Sequence, residues 1–249
     1  MVLLAASFAA AYAVGVRRLA RRGRSWPFAR QLTAAGGFAC IGGSDVVPEG
    51  TFTGHMVEHL LLAMVGPLLL ALSAPITLAL QAGSPRLRAG LRRALHGRLL
   101  GSLSHPVVGF ILFGASTVVL YLTPLLDLSA SNTLVHVLVH IHLLTVGSLF
   151  VWPLVGADPS PRPFPFGARL LAALAFVPFH AFLGLALLSA SSPVAPDAYP
   201  DLADQRRAAS ILWTTGELFT LAIAAIVCRA WLRTDRREAA RLDRITSSS

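Results

Sequence analysis

The run GHMVEHLLLAMVGPLLLALSAPITLALQ, Gly54 to Gln81, opens with two histidines and an acid and then carries no charge. Roughly 20 apolar residues at about 1.5 Å each match a hydrocarbon core of about 30 Å, so this stretch reads as a membrane span. His55 and His59 are four apart and therefore share one face of that helix, one turn from each other, with Glu58 bordering them. Ionisable groups at the lip of a membrane helix are expensive to keep and usually functional, which makes this helix the first place to look for a site.

The rest of the chain repeats the pattern. A sequence of 249 residues that is 55% hydrophobic and 13% charged, with mean hydropathy +0.65, excludes a soluble domain with one buried core and reads as a polytopic membrane protein. Its net charge of +9 comes entirely from arginine, in short clusters between apolar runs. That is a topology pattern, so nucleic acid is not an expected partner; the lipid bilayer is. Apolar segments fall at about 2 to 20, 29 to 47, 55 to 80, 105 to 126, 133 to 155, 169 to 190 and 210 to 232. They define a single all-α integral membrane domain over 1-249, a bundle of seven transmembrane helices. The second segment is the weakest, with Gly36, Gly37, Gly42 and Gly43 among few large apolar residues. Arginine clusters on both sides of residues 29 to 80 ask to be cytoplasmic, which demands an even number of crossings between them.

Met1 to Ala20 has its arginines after the apolar part and no initial positive region, so it reads as a first span rather than a signal peptide. With the N-terminus outside and the C-terminus cytoplasmic, nineteen of the 21 arginines fall inside and only Arg206 and Arg207 outside. The inner loop 81 to 104 alternates Arg86, Arg88, Arg92, Arg93 and Arg98 with Leu87, Leu91 and Leu95, as an amphipathic helix on the headgroups would. The outer loop 191 to 209, rich in Pro and Asp, is long enough to fold over the outer mouth of the bundle. Prolines 67, 75, 124, 153 and 178 imply kinks or helix ends.

This orientation places His55 and His59 near the outer surface and His136 and His140 at the same depth, in the first two turns of the fifth span. Neutral imidazole is a common ligand of copper, zinc and iron, and two i,i+4 pairs on facing helices supply four donors in one small volume. His180 lies near the middle of the sixth span, where it either joins the site or makes a buried polar contact. Glu217 is about two turns into the seventh and must be paired or protonated, facing the bundle. Glu58 is either an interfacial acid or a group at or behind the ligands, and Asp127 and Asp204 flank the same mouth. His142 points about 160 degrees from His140 and is expected behind the ligands or against a neighbouring helix. His96 and His105 lie at the inner side.

These residues resemble the multi-spanning CtaG-type cytochrome c oxidase assembly factors. The similarity runs through HMVEHLLLAMVGPLLLALSAPITLAL, GVRRLARRGRSWPFAR, HP at His105 and Pro106, YLTPLLD, HVLVHIHLLTVGSLFVWPLVGADP, PFHAFLGLAL, DQ at Asp204 and Gln205, and ILWTTGE ending at Glu217. Glu58 stands where that family often has Gln, and Gly66 precedes Pro67 where another small residue or Pro is common. The resemblance implies a bacterial multi-pass cell-membrane protein that is not an enzyme. It also implies maturation of a haem-copper oxidase by delivery of copper to an oxidase subunit on the outer side. The motif positions for metal are His55, His59, His136, His140, His180 and Glu217. The spacing alone leaves zinc and haem iron open, since no CxxC or methionine array selects Cu(I). The alternative function is electron transfer by a haem held between histidines of the third and fifth spans.

Overall fold

Helix boundaries in this chain fall where proline, glycine and short polar side chains start or stop the backbone ladder. The computed structural model describes residues 1–48, 50–160 and 163–246; Arg162, counted above among the inner arginines, lies outside them. Among the described residues every regular element is helical. Helix α1, Val2–Ala20, carries Arg17 and Arg18 in its last turn, where cations complement the helix dipole, and the chain turns at Gly23 with φ 70°. Its apolar side chains are mostly exposed, Leu3 and Phe8 among them, as suits a lipid-facing helix. Helix α2, Phe28–Gly43, follows Pro27.

The opening run forms one broken rod: α3, Phe52–Leu60, a π-helical turn over Leu61–Val65, α4, Gly66–Ser73, and α5, Pro75–Ala82. Thr51 caps its start by accepting from Gly54 N at 3.0 Å. Pro67 has no N–H and its ring crowds the carbonyl four residues back, so the ladder widens before it and Gly66 N reaches Leu61 O instead. Ala74, at φ 51°, breaks the rod before Pro75.

Two short helices follow, α6, Pro85–Leu95, and α7, Arg98–Leu103. The arginines of α6 lie largely on its exposed side, matching the expected amphipathic helix. Helix α8, Pro106–Leu122, starts at a cap in which His105 Nδ1 accepts from Val107 N, so His105 has a local structural role. Pro124 separates it from α9, Leu125–Ser131, at a bend of 76°. Helix α10, Thr133–Val155, is capped by Asn132, which accepts from Leu134 N and Val135 N. At its other end Arg169, 7% exposed, donates from Nε to Leu154 O and from Nη2 to Val155 O, each at 2.8 Å. This arginine closes a helix terminus inside the protein, so its placement follows packing as well as any charge rule.

Helices α11, Phe166–Leu174, and α12, Phe176–Ser189, form the next rod, and α13 runs from Leu202 to Thr246 as one helix of 45 residues. The seventh segment therefore begins eight residues before its expected start at 210. LADQRRAA looks too polar to belong to it, but Asp201 Oδ1 accepts from Ala203 N at 2.8 Å and starts the helix there.

Among the described residues, five helical runs are long and apolar enough to cross a membrane: Val2–Ala20, Phe52–Ala82, Thr133–Val155, Phe166–Ser189 and Leu202–Arg241. The bent pair Pro106–Leu122 and Leu125–Ser131 makes a sixth if taken as one span. At 16 residues α2 occupies the expected second position but is shorter than these runs, so length and apolarity alone identify five or six candidate spans. It packs tightly on α4: a Cβ at Gly37 would lie 2.8 Å from the Leu70 side chain.

Candidate metal centre

Helix α10 packs against the π turn that follows α3, where a glycine lets the backbones touch, and this brings the histidine turns of α3 and α10 face to face. A Cβ added at Gly147 of α10 would sit 2.1 Å from Ala63 O in the π turn. Toward the N-termini from this contact, about one to two turns along the α3 side and two to three along α10, the two histidine pairs face each other. Ring centroids are 4.0 Å apart for His55 and His59 and 3.9 Å for His136 and His140. Across the helices they are 5.4 Å apart for His59 and His140 and 5.8 Å for His55 and His136.

Glu58 occupies the space between them. Its Oε1 lies 3.5 Å from His140 Nε2 and 3.9 Å from His136 Nε2, and its Oε2 lies 3.9 Å from His55 Nδ1. Of the two readings the sequence allows for Glu58, the structure favours the group at or behind the ligands over the interfacial acid. Glu58, His55, His59 and His140 are all buried, while the His136 side chain keeps 17% of its surface exposed. Tyr121 of α8 contacts His59 through a 3.0 Å bond between its Oη and Nδ1, and Tyr199 packs its ring 5.5 Å from that of His55. Neither tyrosine stood out in the sequence, although Tyr121 lies within the YLTPLLD motif.

The donor set suits a metal ion. His55 Nδ1 and Nε2, His59 Nε2 and His140 Nε2 are buried with no hydrogen-bond partner among the described residues. An unsatisfied buried polar group costs about 1–3 kcal/mol, and such groups gathered round a carboxylate are what a bound cation would satisfy. One atom each from Glu58, His136 and His140 lie within 4.8 Å of one another. Donors sharing one tetrahedral ion at about 2.0–2.1 Å are roughly 3.3 Å apart, so Glu58 and His140 at 3.5 Å are already near that spacing, while His136, 3.9 Å from Glu58, would have to draw in further.

The other expected site residues have different surroundings. His180 bonds through Nδ1 to Phe176 O at 3.1 Å and packs on Phe176, Phe179 and Gly216, joining α12 to α13 rather than entering the cluster. Glu217 is half-buried and accepts from Trp213 Nε1 at 3.2 Å on its own helix. Neither is brought to the four histidines. His142 turns outward and bonds through Nε2 to Ser116 Oγ at 2.7 Å, a contact between α10 and α8. Asp204 accepts from Thr53 N and Oγ1, tying α13 to the first turn of α3, and Asp127 accepts from Ala198 N. These two acids hold the frame of the site. Gln205, buried, accepts from Val194 N and donates to Leu187 O, so the loop 190–201 is drawn over this end and delivers Tyr199.

Residues 10–234 match the family described as cytochrome c oxidase caa3 assembly factor. The chain belongs to that family. It is 38% identical over 258 residues to an uncharacterized protein of Mycobacterium bovis and to one of Mycobacterium tuberculosis, in each case covering 95% of this chain and 39% of the relative. An uncharacterized protein of Mycobacterium leprae is 35% identical over 259 residues, 96% of this chain and 39% of its own length. The chain thus spans about two fifths of the length of these curated relatives. No solved structure matches it. The histidine–glutamate cluster falls wholly within the family match.

Proposed function

We propose that the protein serves assembly of a caa3-type cytochrome c oxidase in a bacterial cell membrane by binding copper in the His55, Glu58, His59, His136 and His140 cluster and passing it to an oxidase subunit. The role is one of holding and handing on, not catalysis, and copper is cargo. The observation that carries this reading is the convergence of four imidazoles on one buried carboxylate, with buried ring nitrogens left over for a cation. Family membership supplies the oxidase context. Edge-to-face contacts among the rings favour an ion over a haem, whose macrocycle needs a slot between its axial ligands.

The arginine distribution supports a topology in which this end of the bundle faces outward, with α2 completing seven crossings. The cluster would then meet copper and client on the outer side, and His136, which alone of the four keeps part of its surface exposed, would be its point of entry.

The test is maturation of the oxidase in cells that carry His59→Ala, His140→Ala or His96→Ala. Loss of copper from the purified protein and loss of oxidase activity are expected for the first two, with normal amounts of protein in the membrane. His96 bonds to Arg92 O in the exposed α6 region, and its replacement should change neither. Full oxidase activity with both cluster variants would refute the proposal.

A further inference from the structure

A cavity of about 730 Å³ opens between α1 and α10. Helix α1 packs on α2 and α5, and α10 packs on α4, so the two outer helices stand apart over a floor that includes Leu70 of α4 and Ile76 and Leu78 of α5. Leu4, Phe8 and Ala11 of α1 form one wall, and Ile141, Leu144 and Leu149 of α10 the other. Tyr12, Thr145 and Asp158 also line it, but their polar atoms are engaged within the protein. Tyr12 Oη bonds to Arg30 O, Ser73 O and Trp26 Nε1, and Thr145 Oγ1 donates to Ile141 O. The Asp158 carboxylate accepts from Ile76 N, Thr77 N, Thr77 Oγ1 and Trp152 Nε1. The walls therefore offer an occupant hydrocarbon contact.

One end of the cavity is different. It runs along α1 from Leu4 to Arg18, about 21 Å at 1.5 Å per residue, which exceeds the depth of about 15 Å that one leaflet contributes to a hydrocarbon core of about 30 Å. At the Arg18 end the wall is completed by Leu87 and Leu95 of α6, the helix that carries Arg86, Arg88, Arg92 and Arg93. Arg22 and Arg24 are tied there to Gln81, through its backbone oxygen and its Oε1. No carboxylate pairs with Arg18 or Arg88 among the described residues, and Nε of half-buried Arg88 is buried with no hydrogen-bond partner. Guanidinium groups so placed suit a phosphate, whose oxygens accept several of their N–H bonds at once.

We propose that this cavity binds an anionic phospholipid of the leaflet at the arginine end, with an acyl chain between α1 and α10 and the phosphate held by Arg18 and Arg88. The chain matches the walls and the phosphate matches the end. Only a molecule that carries both uses the full length.

The experiment strips native lipid from the purified full chain by detergent exchange, adds phosphatidylglycerol or phosphatidylcholine with the same acyl chains, and counts retained lipid by native mass spectrometry. One phosphatidylglycerol per chain is expected to stay bound, with about 30-fold weaker retention in Arg18→Ala/Arg88→Ala and equally weak retention of phosphatidylcholine by the natural sequence. Ala11→Trp, which sets an indole into the cavity from α1, should abolish retention. Ala13→Trp, on the same helix but outside the cavity lining, should not. Glycerol phosphate, which has the phosphate without the chains, should not compete. Equal retention of the two lipids would remove the role of the arginines, and undiminished retention in Ala11→Trp or competition by glycerol phosphate would remove that of the cavity; any of these overturns the proposal. The comparison of the two lipids is made on the natural sequence, so it decides even if a variant fails to fold.

Discussion

At the scale of single residues, the site depends on which nitrogen each histidine offers. A metal on His59 Nε2 requires the proton to stay on Nδ1 and be donated to Tyr121 Oη, 3.0 Å away. Tyr121 would then fix the ring as partners behind metal-bound histidines generally do. Tyr121→Phe should lower copper affinity about 10–100-fold, measured by competition with a chelator, without changing helix content. Unchanged affinity would show that His59 is oriented by packing alone. The four clustered histidines were legible from HxxxH spacing, because i and i+4 share a face on any helix. Glu58 was legible too, since i+3 from His55 shares that face, but its place at the centre depends on α10 lying opposite. Tyr121 and Tyr199 arrive from a separate helix and a loop, and no local spacing encodes such an approach. His180 and Glu217 show the converse: intramembrane polar groups satisfied by a backbone carbonyl and a tryptophan, with no common centre required.

At the scale of elements, the π turn over Leu61–Val65 sets the distance between the two histidine helices. It follows from Pro67, and it places Ala63 O under Gly147, where a hydrogen is all that fits. Gly147→Ala should therefore force α3 and α10 apart. The expected outcome in detergent is a destabilisation of about 1–3 kcal/mol together with weakened copper binding. Gly43→Ala, where an added Cβ meets nothing within 4 Å, should be near neutral and serves as the control. Equal thermal stability of the two variants would mean that the helices do not make this contact. Capping residues followed by proline start two of the helices, Ser84 with Pro85 and His105 with Pro106. The start of α13 was hidden because Asp204 and Gln205, polar in sequence, find their partners in Thr53, Val194 and Leu187 from other elements.

At the scale of the whole molecule, the sequence expressed an all-helical membrane bundle plainly, because apolar length and arginine clustering are properties of segments rather than of contacts. The number of spans was less legible. Helix α2 is short and rich in small residues, and Arg169 is held by the end of α10, so hydropathy and charge each carry an exception. Cysteines introduced singly at exposed Asp201 and Arg93, in a background lacking Cys40 and Cys228, should be labelled from the outside and inside of the cell, respectively. Labelling of both from one side would contradict the outward placement of the histidines. The central claim is that imidazole and carboxylate groups of this cluster hold copper, and metal-edge X-ray absorption on the copper-loaded protein reads that directly. The account predicts a first shell of nitrogen and oxygen with imidazole ring scattering, lost when His55, His59, His136 and His140 are all alanine. A sulfur scatterer from Met56, Met64 or Cys40, or an unchanged spectrum in the quadruple variant, would contradict it.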